Sequence, residues 1–349
     1  MPGKTNPKCK IVTVADRRFL PVACCLLISI KDHLPASMPV SCLLAGVDLD
    51  DGEVETANRF LERHRMQPCV KGFSFDELID DSLHVGESVA KATYLRLVMD
   101  SIIPADFDRV LYLDADTRVL APLEPLLLSD LGGYQFAAAH DIGQYQNGRI
   151  EQARKLLGMP ESADYFNSGV MLFDWKLTLQ TGLLSDARDY AAANPGKWLY
   201  HDQDALNAVS TGRWKALDPH WNMNNYYFDM GGKDTPWIKH YTTGAKPWSK
   251  WRRPVWKADA AWYEKTLKAS PWPEAYEKQG MREKLVMLAE YLRKSSRNPR
   301  RVIAYYLWPF LMSAGAKQRA RAYLKRGKPD IEAMVERFTA EANGATGPK

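Results

Sequence analysis

Five short apolar runs constrain this chain more than any other feature: IVTVA (11–15), VSCLLAG (40–46), RVLYL (109–113), FAAAH (136–140) and SGVMLF (168–173). Runs of this length with no polar alternation suit strands of a sheet covered on both faces. Helical patterns lie between them. Val54, Ala57, Phe60 and Leu61 recur at helical spacing in residues 53–65, and Val89, Ala92, Leu95, Leu97 and Val98 form a broad apolar face in residues 87–102. Alternation of strand and helix predicts an α/β domain with a largely parallel sheet, whose ligands bind at the carboxyl ends of strands. A chain of 349 residues with 46% apolar content is long enough to bury such a core.

One strand end carries unusual chemistry. In VLYLDADTRVL (110–120) the apolar run stops at Asp114 and Asp116, one residue apart. If the chain stays extended beyond Leu113, residues two apart project to one side and offer a pair of hard oxygen ligands. Such a pair suits Mg²⁺ or Mn²⁺, with phosphate oxygens completing the shell. The plainer alternative is a solvated strand-end turn capped by Thr117 or Asp116. A haloacid dehalogenase-type phosphatase also uses two such acids, in the pattern DxDx[TV]. Here Arg118 stands where Thr or Val belongs, and the motif follows a long α/β stretch instead of opening the domain.

The triplet is one of several ordered blocks: VADRRF (14–19), TYLRL (93–97), RVLYLDADTRVL (109–120), YFNSGVMLFD (165–174), HDQDALN (201–207) and HYTTGAKPW (240–248). In this order, over roughly residues 11–250, the sequence resembles glycosyltransferase family 8. That family includes bacterial lipooligosaccharide and lipopolysaccharide galactosyl- and glucosyltransferases and the glycogenins. The resemblance implies a Rossmann-like nucleotide-sugar-binding domain of the GT-A type, with a mixed, mostly parallel sheet. It maps the metal ligands onto Asp114, Asp116 and His240. Two carboxylates and an imidazole suit Mn²⁺ first, with Mg²⁺ as the second choice.

Further roles follow from the same resemblance. Lys246 would place a charge on the donor diphosphate. The family writes its last block HxxGxxKPW, whereas Thr243 stands at the glycine position here and Gly244 follows it, so close approach of backbone to phosphate falls to Gly244. Asp16 would lie near uracil, Phe19 would stack on it, and Arg96 would contact the donor. Asp141 and Asn167 align with residues near the transferred sugar. Asp202 would hold sugar hydroxyls, and Gln203 would lie beneath the anomeric carbon. Each has a plainer reading as a packed imidazole, a solvated lysine or arginine, a core ring, or an acid complementing a helix start. Family members retain anomeric configuration. An amide is a poor nucleophile, so attack by the acceptor hydroxyl on the face the diphosphate leaves is the expected course. The stretch HWNMNNYYFDM (220–230), rich in amide and aromatic groups, is expected either to line the cleft or to pack inward.

Beyond KPWSKWRRPVW (246–256) the family pattern fades. Residues 281–349 hold fifteen Lys or Arg against six Asp or Glu, so the basicity of the chain, +5 overall, is local. Within it, residues 302–316 are mostly apolar, interrupted by Pro309, and shorter than the roughly 20 residues a membrane span needs. Tyr305, Tyr306, Trp308 and Phe310 beside Arg300, Arg301, Lys317, Arg319 and Arg321 suit an anionic bilayer surface. A helical hairpin packed on the main domain is the alternative. The expected division is therefore a catalytic domain, 1–275, and a helical membrane-associating extension, 276–349, that meets the membrane through residues 300–325.

No recognised nucleic-acid module surrounds these basic residues, and no nucleic-acid partner is expected. The five cysteines, Cys9, Cys24, Cys25, Cys42 and Cys69, are odd in number and form no CxxC pair, which favours reduced thiols. The polar N-terminus, residues 1–10, is not expected to act as a secretory segment. The expected place is cytoplasmic, peripheral on the inner face of the membrane. The expected activity is transfer of galactose or glucose from a UDP-hexose to a glycolipid or oligosaccharide such as lipopolysaccharide core. A glycogenin-like self-glucosylating enzyme and a non-catalytic nucleotide-sugar-binding protein are the alternatives.

Overall fold

All five apolar runs are strands in the computed structural model, which describes residues 6–35, 38–79, 94–146, 148–194, 200, 202–229, 233–295 and 331–344. The strands are β1 (Cys9–Asp16), β2 (Val40–Val47), β3 (Val70–Phe73), β4 (Arg109–Leu113), β5 (Thr117–Val119), β6 (Phe136–His140), β7 (Phe166–Asp174), β8 (Trp214–Ala216), β9 (Met223–Asn224) and β10 (Ile238–His240). Seven of them form one sheet in the order β3-β2-β1-β4-β7-β6-β8. Pairing is parallel from β3 to β4, while β7 runs antiparallel to both β4 and β6.

This order decides where the site lies. The chain moves outward from β1 to β3 and then returns to β4 on the other side of β1, which makes a switch point between β1 and β4. Asp16 and Asp114 stand at their carboxyl ends. Because β7 is reversed, its first residues lie beside the end of β4, with Val170 opposite Leu113. A second, small sheet, β5-β10-β9, sets His240 opposite Thr117.

Successive strand residues feed two cores on opposite faces. Ile11, Leu44, Leu111 and Leu172 pack on one side with the helix Leu20–Lys31. Val12, Leu43, Val110 and Met171 pack on the other with the helices Leu183–Ala193 and Asp202–Val209. The helix Leu20–Lys31 is buried along nearly all its length, which explains why it lacks a polar face. The helix Asp51–Arg63 starts at a capping box in which Asp50 and Glu53 satisfy each other's backbone N–H groups.

The amphipathic helix expected over residues 87–102 takes another form. Its described part is a 3₁₀ turn, Leu95–Val98, followed by one short helix, Met99–Ile102. Leu95, Arg96, Leu97 and Val98 are all buried, so no face is left for solvent. The turn drives the Arg96 side chain inward, where carboxylates neutralise it.

The helix Met281–Ser295 follows the family-like region, and the helix Ile331–Ala342 packs back onto it. Its Ile331, Val335 and Phe338 join Ile142, Met223, Tyr227 and Phe228 in one cluster. Residues 300–325, where membrane contact is expected, lie outside the described residues. Among the described residues no helix is long and apolar enough to cross a membrane. All five cysteines are unpaired.

Candidate active site

The two acids after β4 converge, but not by the extended geometry expected of them. The chain turns at once: Thr117 N–H donates to the Asp114 carbonyl at 3.0 Å, and the Thr117 hydroxyl donates to the same oxygen at 2.7 Å. Thr117 thus closes the turn, as the plainer alternative has it. The acids still share one space because β5 leaves that turn antiparallel to β10. His240 Nε2 lies 3.4 Å from Asp114 Oδ2 and 3.2 Å from Asp116 Oδ1. One ligand atom from each of the three residues falls within 4.8 Å of the others.

Each of these three side chains is held from behind. Asp114 N–H donates to the Gly169 carbonyl at 2.8 Å, and Asp114 Oδ1 accepts from Arg96 at 2.7 Å and from the Tyr112 hydroxyl at 2.8 Å. Oδ2 is left facing the imidazole. His240 Nδ1 is 2.8 Å from Asn222 Oδ1. Gly169 supplies the room: a Cβ there would stand 2.2 Å from His240 Cε1 and 2.7 Å from Asp114 Oδ2. Burial pushes the Asp116 carboxyl up, but the Lys246 ammonium and the His240 imidazole outweigh it and hold it well below the usual carboxylate range. Lys246 Nζ sits on Asp116 Oδ2 and on the Tyr241 carbonyl.

Arg96 ties this end of the cleft to the other. Its guanidinium donates to the Ser168 carbonyl at 2.8 Å, lies 2.8 Å from Asp202 Oδ2, and stacks 4.6 Å from the Tyr112 ring centre. Asp202 is 3% exposed, and burial pushes its carboxyl up to about 7 against the opposing pull of Arg96.

Around Gln203 the groups are mostly neutral. Gln203 Oε1 accepts from Ser168 N–H at 3.0 Å, while Nε2 donates to Asp141 Oδ2 at 3.0 Å and to the Tyr165 hydroxyl at 3.2 Å. Asn167 Nδ2 donates to the same Asp141 oxygen at 3.2 Å. The other Asp141 oxygen accepts from Gly143 N–H at 2.9 Å.

Eight of the expected residues line one cleft of about 320 Å³: Arg96, Asp114, Asp116, Asp141, Asn167, Asp202, Gln203 and His240. Lys246 adjoins it through Asp116. Asp16, Phe19 and Gly244 are not in its lining. Asp16 Oδ1 accepts from Phe19 N–H at 2.9 Å, and the Phe19 ring packs partly buried between two apolar clusters. Gly244 is exposed, with nothing within 4 Å of the place a Cβ would take. A larger cavity of about 390 Å³, lined by Leu126, Leu217 and Trp221 among others, shares none of the cleft residues. Sequence reasoning missed Ser168, Gly169, Tyr112 and Asn222 as individuals. Ser168 and Gly169 lie inside the YFNSGV block, and Asn222 lies inside the amide-rich stretch 220–230.

Residues 10–252 match the model of glycosyl transferase family 8. The chain belongs to glycosyl transferase family 8. Among curated relatives, general stress protein A of Bacillus subtilis (strain 168) is 30% identical over 185 residues, covering 48% of this chain and 63% of that protein. The lipopolysaccharide 1,2-glucosyltransferase of Escherichia coli (strain K12) is 27% identical over 238 residues, covering 64% of this chain and 68% of that one. The chain therefore spans about two thirds of the length of these two relatives. Among solved structures, the galactosyltransferase LgtC in complex with donor and acceptor sugar analogs aligns with a TM-score of 0.61 at 21% identity, over 75% of this chain and 96% of that one. That likeness establishes a GT-A-like fold for this family 8 member.

Proposed function

We propose that the chain is a retaining, metal-dependent hexosyltransferase that moves galactose or glucose from a UDP-hexose to a glycolipid or oligosaccharide acceptor, lipopolysaccharide core above all. The observation that carries this reading is the convergence of Asp114, Asp116 and His240 in a cleft also lined by Asp141, Asn167, Asp202 and Gln203. The donor set fits a divalent cation. Two carboxylate oxygens and an imidazole nitrogen face one point, and a glycine leaves open the space a side chain would fill. Mn²⁺ is the first choice and Mg²⁺ the second. When bound, the cation supplies Lewis-acid neutralisation of the charge that grows on the departing diphosphate.

The protein's own groups do the rest. Lys246, close to the ligands through Asp116, adds a positive charge for the same diphosphate. Arg96 keeps Asp114 and Asp202 in register from beneath. Asp16, Phe19 and Gly244 are assigned to the uridine and phosphate end, which their positions outside the lining of the cleft suit. Asp141, Asn167 and Asp202 orient the hexose hydroxyls.

Gln203 is unsuited to nucleophilic attack. Its amide oxygen already accepts from Ser168 N–H, and its nitrogen is engaged by Asp141 and Tyr165. A group so held orients the substrate without bonding to carbon. Same-face transfer follows: the acceptor oxygen bonds to the anomeric carbon as the bond to the diphosphate oxygen breaks. The acceptor's proton passes to the departing diphosphate. Orientation and fixed dipoles supply the acceleration.

We assign residues 1–275 to catalysis and residues 276–349 to an extension whose basic stretch 300–325 meets an anionic membrane from the cytoplasmic side. The likeness to a lipopolysaccharide 1,2-glucosyltransferase and to a galactosyltransferase supports a hexose donor of either kind. Release of UDP from UDP-glucose and UDP-galactose, with and without Mn²⁺, tests the reading. Mn²⁺-dependent release from one donor, accelerated by truncated lipopolysaccharide, is expected. Release that ignores Mn²⁺ contradicts it.

A further inference from the structure

We infer that Asn222 is a positioning residue: it fixes the tautomer of His240 and couples the cation side of the cleft to the sugar side. This rests on the reading of Asp114, Asp116 and His240 as cation ligands.

Asn222 ends the 3₁₀ turn Pro219–Asn222, just before β9, and is 2% exposed. The polarity of its hydrogen bonds follows from groups that cannot change role. The backbone N–H of Gly169 can only donate, and it points at Asn167 Oδ1 from 3.1 Å. The carboxylate of Asp141 accepts from Asn167 Nδ2 at 3.2 Å. The Asn167 amide therefore has one orientation, with its oxygen toward Gly169. That same oxygen lies 2.8 Å from Asn222 Nδ2, which is also 3.4 Å from the Asn167 carbonyl. Asn222 must donate there, so its oxygen faces His240 Nδ1 at 2.8 Å and accepts.

The imidazole proton of neutral His240 consequently sits on Nδ1, and the Nε2 lone pair points at two carboxylate oxygens, 3.4 and 3.2 Å away. A lone pair aimed at two carboxylates is repelled unless a proton or a metal cation stands between them, so the site takes a proton on Nε2 when no metal is bound and exchanges it for the metal. Second-sphere acceptors of this kind set ligand orientation and basicity. Here the acceptor is itself anchored on Asn167, which shares Asp141 with Gln203. One amide therefore sets the distance between the cation ligands and the groups assigned to the hexose.

The test compares wild type, Asn222→Ala and Asn222→Asp. Mn²⁺ alone is titrated into each purified full-length protein and the free ion is counted by electron paramagnetic resonance. Asn222→Ala removes the acceptor and should weaken Mn²⁺ binding by about 10- to 100-fold. Asn222→Asp keeps an acceptor for Nδ1–H and should hold Mn²⁺ nearly as well as wild type. The same variant sets an oxygen against Asn167 Oδ1, so its kcat should fall by about 10-fold or more with a smaller change in KM. Circular dichroism confirms that each variant is folded, and the isosteric Asp variant carries the test if the Ala variant does not fold. Wild-type Mn²⁺ affinity in Asn222→Ala, or loss of Mn²⁺ binding in Asn222→Asp, overturns the inference while leaving the ligand set standing. A wild type that binds no Mn²⁺ overturns both.

Discussion

Asp114, Asp116 and His240 make one cluster of an imidazole and two carboxylates, and His140, Asp164 and Glu341 make another. Their distances are alike: His140 Nε2 lies 3.4 Å from Glu341 and 3.8 Å from Asp164. Their surroundings are not. The acids around His240 are 22% and 16% exposed at the side chain, whereas those around His140 are 48% and 39% exposed. The decisive difference is the far nitrogen. His240 Nδ1 has Asn222 as its acceptor, but His140 Nδ1 is buried with no hydrogen-bond partner among the described residues.

An imidazole that takes a cation on Nε2 must carry its proton on Nδ1, and a buried N–H with no acceptor costs about 1–3 kcal/mol. His140 is therefore better placed to keep its proton on Nε2 and offer it to the two acids. Its ring stacks on Phe338 at 4.0 Å with planes 3° apart. The second cluster fastens the helix Ile331–Ala342 to the sheet, and the first is the one proposed to hold an ion. Counting ligands does not separate the two clusters.

Substitutions can break or sharpen that contrast. Asp114→Asn should reduce Mn²⁺-dependent UDP release by about 10³-fold in a folded protein, a loss comparable to that of a main charge-stabilising group. Asp164→Asn should leave the release unchanged. Phe338→Ala, at a fully buried ring, should lower the unfolding free energy by about 3 kcal/mol in urea titrations without altering Mn²⁺ affinity. Gly169→Ala places a methyl against His240 and Asp114. It should cost about 1–3 kcal/mol of stability and weaken Mn²⁺ binding, measured by the same titrations. Glu341→Gln, at an exposed acid, should change stability by less than about 1 kcal/mol and Mn²⁺ binding not at all.

The contrast also explains what the sequence could reveal. The central strands were legible because each is a long enough apolar run to stand out. β5, β8, β9 and β10 have two or three residues each, too few to carry a period, and β5 and β10 are the ones that bring His240 to the acids. Local pattern marked Asp114 and Asp116 as a pair, but His240 stood out only through the family resemblance, since nothing local links it to residues so distant in the chain. The antiparallel direction of β7 was equally hidden, because an apolar run reads the same both ways. Arg96 was singled out as a donor contact only through the family resemblance, since local periodicity puts it on an ordinary helix face. Its burial follows from partners on β4 and on the helix Asp202–Val209, which local periodicity does not contain. Asn222 was legible only as one amide in a polar, aromatic stretch, because its importance lies in the polarity of its hydrogen bonds to Asn167 and His240.

The most direct measurement is anomalous diffraction at the manganese edge from crystals grown with Mn²⁺ and UDP. One peak bounded by Asp114, Asp116 and His240, with none beside His140, is the expected result. UDP bound in the cleft with no peak among those three residues, or a peak at His140, Asp164 and Glu341 instead, would contradict it.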